Sequence, residues 1–357
     1  MLQRLCLGLL AAVAAAAVAP AHAQTPQPPA AEREAFIEQV VREHGVPAET
    51  VRDALDRARY QQGIVAAMSR PAEARPWRDY RPNFITDGRI RDGRRFLAEH
   101  REALAQVEAE YGVPAEVVVS IIGVETNWGG FTGRHKVLDA LYTLAFFYPV
   151  SGDPARAQYE ADRQTYFRRE LGNLFRLVRE ENLDLHGLTG SYAGAMGWGQ
   201  FMPSSYLAYA VDGDGDGRRD LFNSLPDILA SVANYFAAHG WQRGEPVAVR
   251  AERAPGAPEW RPETWRRGTT FDELASAFEQ AAAWGYRPQE PGVERTPRAT
   301  LVTLEGAQGM EYWLGFQNFY VITRYNHSPL YGMAVYQLAR EIAGGPVSGP
   351  GTGTAAP

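Results

Sequence analysis

The segment from residue 111 to residue 130 constrains the fold of this chain more than any other part of its sequence. Gly112 and Pro114 mark the end of one helix and the first turn of the next, because glycine accepts a left-handed cap and proline fits a helix start. The apolar run of residues 117–122 then predicts a buried helix that carries Glu125 into a glycine turn. Since an ionised carboxylate is costly to bury unless it is paired or its pKa rises, Glu125 has either a structural partner or a chemical task.

Most of the remaining chain has the apolar periodicity of helices. Apolar residues recur at three- and four-residue spacing, and we predict further helices over residues 32–43, 48–58, 91–110, 158–181, 226–239 and 328–342. Residues 244–303 are instead rich in Pro, Arg and Trp, and their short β-prone runs predict a small strand-containing insertion. The sequence therefore predicts a mainly α (α+β) fold, with a helical core, an additional helical region and a small β part.

The N-terminus has the pattern of a cleavable signal peptide over residues 1–23. Arg4 precedes the apolar stretch of residues 5–18, and Ala21 and Ala23 supply the small residues of a cleavage site. The apolar stretch is short for a membrane span. We therefore expect an exported protein.

Composition excludes several other classes of protein. With 36 basic and 42 acidic residues, the chain is a poor nucleic-acid binder by bulk charge. Nucleophilic-serine, zinc-helix and dinucleotide-binding motifs are absent from the sequence. The lone cysteine, Cys6, lies in the signal peptide, so the mature chain is expected to fold without disulfides. A Pro-rich linker (residues 24–31) and a Gly/Pro/Thr tail (residues 344–357) flank the predicted folded domain, residues 32–343.

Residues 190–203 mix glycines with polar and aromatic side chains. Ser191 and Gln200 offer hydrogen bonds, while Tyr192 and Trp198 offer flat apolar faces. Glycines allow a close backbone approach to a ligand, and a sugar presents both hydroxyl edges and apolar faces. A tight glycine-mediated helix contact is the alternative interpretation, and these residues alone leave both open.

Residues 212–223 resemble the first half of an EF-hand loop. Asp212, Asp214 and Asp216 occupy positions one, three and five, and the backbone carbonyl of Arg218 falls at position seven. Position twelve is Asn223, where the pattern has a bidentate glutamate. Because clustered carboxylates repel unless a hard cation neutralises them, we predict a Ca²⁺ site weaker than a full EF-hand. A metal-free Asp/Gly turn is the alternative.

The aromatic segment of residues 319–328 runs into Asn326, His327 and Ser328 ahead of a predicted helix. It is either a helix N-cap with core aromatics or a segment that presents Asn326 to a ligand.

Taken together, residues 121–129, 194–206 and 323–328 closely resemble three motifs of the lytic murein transglycosylase B family, which has membrane-bound and soluble forms. The likeness extends over residues 78–343 in the same order, with the acidic loop where that family carries it. The resemblance implies a lysozyme-like helical core. It also implies cleavage of the MurNAc–GlcNAc β-1,4 bond of peptidoglycan without water, which leaves a 1,6-anhydro-MurNAc end and serves cell-wall turnover.

The same resemblance implies roles for single residues. Glu125 would be the only catalytic acid and base. The implied substrate-binding residues are Ser191, Gln200, Tyr235, Asn326, Tyr80 and Tyr331. Calcium would be structural, no organic cofactor is expected, and the expected partners are peptidoglycan glycan strands, with other cell-wall enzymes as further candidates. The signal-peptide pattern predicts a periplasmic location and no membrane span, and we expect a monomer.

Two alternatives to a transglycosylase remain open at this point. A hydrolytic muramidase would cleave the same bond with water, but it needs a second carboxylate near Glu125. The nearest one downstream, Asp139, is expected to be structural. A non-catalytic peptidoglycan-binding scaffold, with calcium as a staple, would not depend on Glu125 at all.

Overall fold

The computed structural model describes residues 26–69, 75–259, 269–290 and 298–345 of the chain. The predicted signal peptide and nearly all of the predicted tail lie outside these residues. The predicted linker is shorter than expected, because the first helix already begins at Ala30, after Pro29 at its N-cap.

Helices make up most of the described chain. They are α1 (Ala30–His44), α2 (Ala48–Arg57), α3 (Gln62–Met68), α4 (Trp77–Tyr80), α5 (Asp87–Glu99), α6 (Arg101–Tyr111), α7 (Ala115–Thr126), α8 (Val137–Phe146), α9 (Ala157–Glu181), α10 (Pro203–Tyr209), α11 (Leu225–Ala238), α12 (Phe271–Leu274), α13 (Phe278–Ala283), α14 (Gln317–Tyr325) and α15 (Pro329–Ala343), with a 3₁₀ turn at Arg81–Asn83. The prediction of one helix over residues 91–110 was wrong. His100, at φ −114° and ψ 23°, leaves the helical region and separates α5 from α6.

The strands form a two-stranded and a five-stranded sheet. They are β1 (His135–Lys136), β2 (Thr189–Gly190), β3 (Ala248–Arg253), β4 (Ser276–Ala277), β5 (Tyr286–Pro288), β6 (Arg298–Gly306) and β7 (Gly309–Gly315). The larger sheet has the order β4-β6-β7-β3-β5, and all its described pairings are antiparallel. Its longest hairpin joins β6 to β7 through the two residues Ala307 and Gln308.

The sheet extends to Gly315, beyond the predicted limit of the insertion at residue 303. The strands lack an alternating pattern of apolar and polar residues, because both faces of the sheet are covered by other parts of the chain. Leu301 and Leu314 pack in a small core on one face, whereas Val302 and Trp313 belong to the main helical core. A strand buried on both faces does not alternate between apolar and polar residues, so its sequence gives no two-residue pattern.

Helix α7 lies in the centre of the helical core. Its residues from Val117 to Gly123 are buried, and it packs against α5, α6, α11 and α15. Burying one large aliphatic side chain contributes about 1.5–3 kcal/mol, so the apolar run fixes α7 in place. The residues at its C-terminal end, Glu125 among them, are therefore held in a defined position. Within the described part of the chain, no helix has both the length and the apolar character that crossing a bilayer requires.

Candidate active site

The end of α7 turns sharply behind Glu125. Asn127 and Trp128 have positive φ angles of 53° and 54°, which few residues other than glycine adopt. The Asn127 N–H donates to the Gly123 carbonyl at 3.1 Å, and the Trp128 indole N–H donates to the Val119 carbonyl at 3.0 Å. The indole thus folds back over α7. A Cβ at position 123 would lie 2.6 Å from it, so this close contact requires glycine.

The glycine-rich segment of residues 190–203 packs directly against this turn. The Thr126 hydroxyl donates to the Trp198 carbonyl at 2.9 Å, and a Cβ on Gly129 would lie 2.3 Å from the Trp198 ring. Gln200 donates from its side-chain amide to the Thr132 carbonyl at 3.1 Å. The glycines therefore permit tight packing, while Ser191 and Gln200 line a cleft, so sugar binding by this segment stays a prediction. Trp198 belongs to the packing.

A cleft of about 980 Å³ brings together five of the predicted site residues. Glu125 comes from α7, Ser191 and Gln200 from the glycine-rich segment, Tyr235 from α11, and Asn326 from the end of α14. Among the described residues that line this cleft, Glu125 is the only carboxylic acid. The arrangement offers one proton-transferring group amid hydroxyl, amide and aromatic side chains, which suits a carbohydrate.

Two effects act against each other on the Glu125 carboxyl group. Burial raises its pKa from 4.5 to about 7, while a hydrogen bond from the Tyr331 hydroxyl to Oε1 lowers it. The side chain is nevertheless partly exposed, because it opens onto the cleft. A carboxyl group with a pKa near neutrality can both donate and accept a proton, which general acid–base catalysis requires.

The two remaining predicted substrate-binding residues, Tyr331 and Tyr80, are not among the described residues that line the cleft. Tyr331 is 3% exposed and lies behind Glu125, to which it donates. Tyr80 stacks on Trp77 at a centroid distance of 6.1 Å and raises the pKa of Tyr331 slightly, after the larger effects of burial and of Glu125. Direct contact of either tyrosine with a sugar stays a prediction, whereas the hydrogen bond from Tyr331 to Glu125 is visible.

Several residues of the cleft had no predicted role. Helix α9 contributes Arg163, whose guanidinium lies over the ring of Tyr166 at 4.7 Å. Arg324 lies over the ring of Tyr320 at 4.0 Å, and Tyr325 donates to the Gly199 carbonyl at 2.8 Å. Arg324 and Tyr325 lie within the 323–328 motif but had no predicted role, whereas Arg163 has no sequence signal, because only the tertiary fold brings the start of α9 to the cleft.

The acidic loop lies apart from the cleft, between α10 and α11. Carboxylate oxygens of Asp212, Asp214 and Asp227 come within 4.8 Å of one another. Asp227 is 1% exposed, and it accepts the backbone N–H groups of Gly213 at 2.8 Å and Asp220 at 2.7 Å. Asp227 was not predicted as a ligand, because it lies four residues beyond the last position of the EF-hand pattern.

The other predicted calcium ligands remain predictions. Asp216 is outside the group of three carboxylates, and its Oδ1 accepts the Arg218 N–H at 2.8 Å. Asn223 donates its side-chain N–H to Asp220 at 3.0 Å. The chemistry of Asp212, Asp214 and Asp227 nevertheless fits a hard cation, because calcium prefers carboxylate and carbonyl oxygens.

Comparison with known proteins agrees with this geometry. The family model described as "Transglycosylase SLT domain" matches residues 29–340. Membrane-bound lytic murein transglycosylase B of Escherichia coli (strain K12) is 40% identical over 319 residues, which cover 86% of this chain and 81% of that protein.

Solved structures are similar over nearly as much of the chain. Soluble lytic transglycosylase SltB1 from Pseudomonas aeruginosa is 43% identical, with a TM-score of 0.74 over 87% of this chain and 98% of that one. The Escherichia coli lytic transglycosylase Slt35 in complex with calcium is 40% identical, with a TM-score of 0.74 over 90% of this chain and 94% of that one. These similarities confirm the resemblance and the mainly helical, lysozyme-like fold that the motifs predicted. The chain therefore belongs to the transglycosylase SLT domain family and is a lytic murein transglycosylase, an enzyme that acts on peptidoglycan.

Proposed function

We propose that Glu125 alone supplies the acid and the base for non-hydrolytic cleavage of the MurNAc–GlcNAc bond. The observation that carries this proposal is its position as the only carboxylic acid among the described cleft residues, with its pKa raised to about 7 by burial. At neutral pH a large fraction of such groups is protonated, so the acid needed for the first step is available.

In the first step, the Glu125 carboxyl proton passes to the glycosidic oxygen while the bond from C1 of MurNAc to that oxygen breaks. The GlcNAc side leaves with a new hydroxyl group. The acetamido oxygen of MurNAc stabilises the positive charge at C1, as in other substrate-assisted glycosidases. The hydrogen bond from Tyr331 stabilises the carboxylate that Glu125 has become.

In the second step, the C6 hydroxyl of the same MurNAc attacks C1, and the Glu125 carboxylate takes its proton. The product is a 1,6-anhydro-MurNAc end, and Glu125 is protonated again for the next cycle. Burial favours the neutral acid of the first step, and Tyr331 favours the anion of the second. A pKa near neutrality lets one group perform both steps in turn.

Ser191, Gln200, Tyr235 and Asn326 would hold the sugars around the scissile bond. Ser191 and Gln200 are rigid because their own side chains are hydrogen bonded to the glycine-rich segment. Tyr235 donates its hydroxyl to the Arg324 carbonyl at 2.7 Å, so its ring is fixed at the cleft wall. Side chains held in this way lose little freedom when a substrate binds.

A hydrolytic mechanism is disfavoured by the surroundings of Glu125. Glycosidases that use two carboxylates place them about 5–9.5 Å apart on either side of the bond. Asp139, the candidate for a second carboxylate, instead accepts the Arg59 backbone N–H at 2.8 Å and the Gln61 side-chain N–H at 3.2 Å. It is not among the described residues of the cleft. Its contacts are those of a structural residue.

The experiment that tests this function is mass spectrometry of purified peptidoglycan digested by the mature protein. We expect muropeptides lighter by one water than hydrolytic products, and none from a Glu125→Gln variant whose circular dichroism matches that of the wild type. Loss of acid–base catalysis should lower kcat by about 10³-fold. Muropeptides with a reducing MurNAc end would instead establish a hydrolase, and full activity of Glu125→Gln would remove Glu125 from the mechanism.

Calcium is proposed as a structural ion of the acidic loop, held by Asp212, Asp214 and Asp227. The similar enzyme Slt35 was solved in complex with calcium, which supports this choice of metal. An ion there would join the loop to the start of α11 through Asp227, and α11 also carries Tyr235 of the cleft. Calcium would thereby contribute to stability without taking part in the chemistry.

The proposed location is the periplasm, after removal of residues 1–23, with the mature chain as a monomer. The signal-peptide pattern supports this location, and the relative in Escherichia coli is a membrane-bound enzyme of murein. N-terminal sequencing of the protein from a periplasmic extract should begin at Gln24. Recovery of the full-length chain from the cytoplasm would contradict export.

A further inference from the structure

A second groove, of about 860 Å³, lies between the five-stranded sheet and helix α15. It is close in size to the catalytic cleft, and the described residues that line the two share no member. Its walls come from the segment that includes Trp77 and Arg81, from the β6–β7 hairpin, and from the C-terminal half of α15. Nothing in the mechanism above uses this groove.

The aromatic residues of the groove do not offer sugar-stacking faces. Trp77 is 1% exposed and Trp313 is 6% exposed, so both rings are covered by other residues. The Arg250 guanidinium lies 5.2 Å from the centre of the Trp313 ring and hides one of its faces. A sugar binds best to an open aromatic face, so a neutral glycan is a poor match for this groove.

Charged groups of both signs line the groove instead. Arg250 pairs with Glu311 at 2.6 Å, and Arg340 pairs with Glu290 at 3.1 Å. A guanidinium has five N–H donors, and within the described part of the chain Arg250 uses one, toward Glu311. Because the cations are already neutralised by carboxylates, a purely anionic ligand gains little here. A ligand with both carboxylate and ammonium groups finds a partner for each.

The hairpin tip adds polar groups that have no structural task. Gln308 is exposed in the two-residue turn, and its side chain makes no hydrogen bond within the described chain. The neighbouring Gly309 has a φ of 117° and open space around it. On the opposite wall, Arg81 donates through Nε to Gln337 at 2.8 Å. Gln308 and the remaining N–H groups of Arg81 therefore offer donors to the groove.

Helix α15 connects the groove with the catalytic centre. Tyr331, which donates to Glu125, and Gln337, which lines the groove, are both on this helix. Six residues of α-helix span about 9 Å.

We propose that this groove binds a stem peptide of peptidoglycan while a glycan strand occupies the catalytic cleft. Stem peptides are zwitterionic, with free carboxylates and the amine of a diamino acid. Their carboxylates would meet Arg81 and Arg250, and the amine would meet Glu290 or Glu311. The proposal rests on peptidoglycan as the substrate of the cleft and adds a second contact with the same polymer.

The test measures binding separately from catalysis. Glu125→Gln protein, which does not cleave its ligand, is sedimented with insoluble peptidoglycan, with and without the additional changes Arg81→Ala and Gln308→Ala. We expect the added changes to weaken binding about tenfold, comparable to the loss of one hydrogen bond to a charged group. The matched control, Arg42→Ala with Gln39→Ala on α1, should bind as Glu125→Gln does.

Peptide-free peptidoglycan, prepared with an amidase, identifies the ligand. On this material the groove changes should have no effect. In an otherwise wild-type enzyme, they should leave kcat/KM on a short peptide-free glycan within about twofold, since no catalytic contact is removed. Unchanged binding to intact peptidoglycan would overturn the proposal, as would an equal loss on peptide-free material. Absence of anhydro products from the wild type would instead count against the function of the cleft.

Discussion

Glu125 and Asp220 are both partly buried carboxylic acids, yet their pKa values shift in opposite directions. Burial dominates at Glu125, where a single hydrogen bond from Tyr331 does not offset it, and the pKa rises to about 7. Burial also opposes the ionisation of Asp220. There, hydrogen bonds from Asn223 and from the backbone N–H of Phe222 outweigh it, so the pKa falls. The number of hydrogen-bond donors around a buried carboxyl group therefore decides the direction of its pKa shift. With few donors the pKa rises and the group holds its proton, whereas with several donors the pKa falls and the group stays an anion.

The acidic loop and the end of α7 also differ in how many N–H groups they offer to their carboxyl groups. In the acidic loop, the Asp212 carboxylate accepts backbone N–H groups, among them those of Gly215 at 2.7 Å and Gly217 at 2.8 Å. Glycine-rich turns expose such N–H groups, and these fix the position of the Asp212 side chain in the loop. At the end of α7 the N–H groups are used within the helix and its cap. Among the described residues, Glu125 is thereby left with one side-chain donor, the Tyr331 hydroxyl.

Of the substitutions that test this contrast, Asp227→Asn should have the largest effect, a loss of calcium affinity in the acidic loop. The change removes one of three converging carboxylates, and affinity for calcium depends on how many charged ligands surround the ion. We expect calcium to bind about 100-fold more weakly by titration calorimetry, equivalent to roughly 3 kcal/mol. The stabilising effect of calcium on the melting temperature should shrink in parallel.

The matched control for that change is Asp216→Asn, which removes the same charge from a residue outside the group of three. We expect a smaller loss of calcium affinity from it. Equal losses from both substitutions would mean that the loop binds as the EF-hand pattern alone predicts, with Asp216 among the ligands.

A smaller effect should follow from Tyr331→Phe, which removes the hydrogen bond that stabilises the Glu125 carboxylate. Because that bond lowers the pKa of Glu125, its loss should raise the pKa further above 7 and slow the step that needs the anion. We expect kcat at pH 7 to fall about tenfold, the value of one charge-assisted hydrogen bond. The pH–rate profile should move toward higher pH.

Tyr336→Phe is the control for Tyr331→Phe. Tyr336 is on the same helix and equally buried, but its hydroxyl donates to the Ala248 carbonyl. Its loss should lower stability and leave the pH–rate profile in place. A shift of the profile in both variants would show that the effect of Tyr331 is not specific to Glu125.

The smallest expected effect is that of Glu125→Gln on the free energy of unfolding. A carboxyl group whose pKa rises on folding favours the folded state less as pH increases from its unfolded value of 4.5 through its folded value near 7. Removing the Glu125 carboxyl group should therefore increase the free energy of unfolding above pH 7 and leave it unchanged near pH 4. Since Glu125 is partly solvated, we expect Glu125→Gln to stabilise the protein by about 1–2 kcal/mol at pH 8, less than the full pKa shift would give.

Urea unfolding at pH 8 and pH 4 measures this difference between Glu125→Gln and the wild type. An equal gain in the free energy of unfolding at both pH values would mean that the gain comes from packing. Burial of the ionisable group would then have no measurable cost.

The sequence predicted those parts of the molecule that depend on local pattern. The end of α7 is an example, because an apolar run followed by a glycine turn specifies both a buried helix and the carboxylate at its end. Asp227 and Arg163 were missed for the opposite reason. Asp227 lies in the first turn of α11, four residues beyond the EF-hand pattern, and Arg163 reaches the cleft through the packing of α9, so the spacing within the motifs records neither contact. The limit of the sheet was missed because β6 and β7 are covered on both faces.

Direct titration of the Glu125 carboxyl group tests the central claim most closely. The carboxyl carbon of ¹³C-labelled glutamate can be followed by NMR, with Glu125→Gln to assign the signal. We expect a midpoint near pH 7, in line with a pKa raised by burial. A midpoint near the ordinary value of 4.5 would contradict it, because Glu125 would then be an anion at neutral pH and could not supply the proton for the first step.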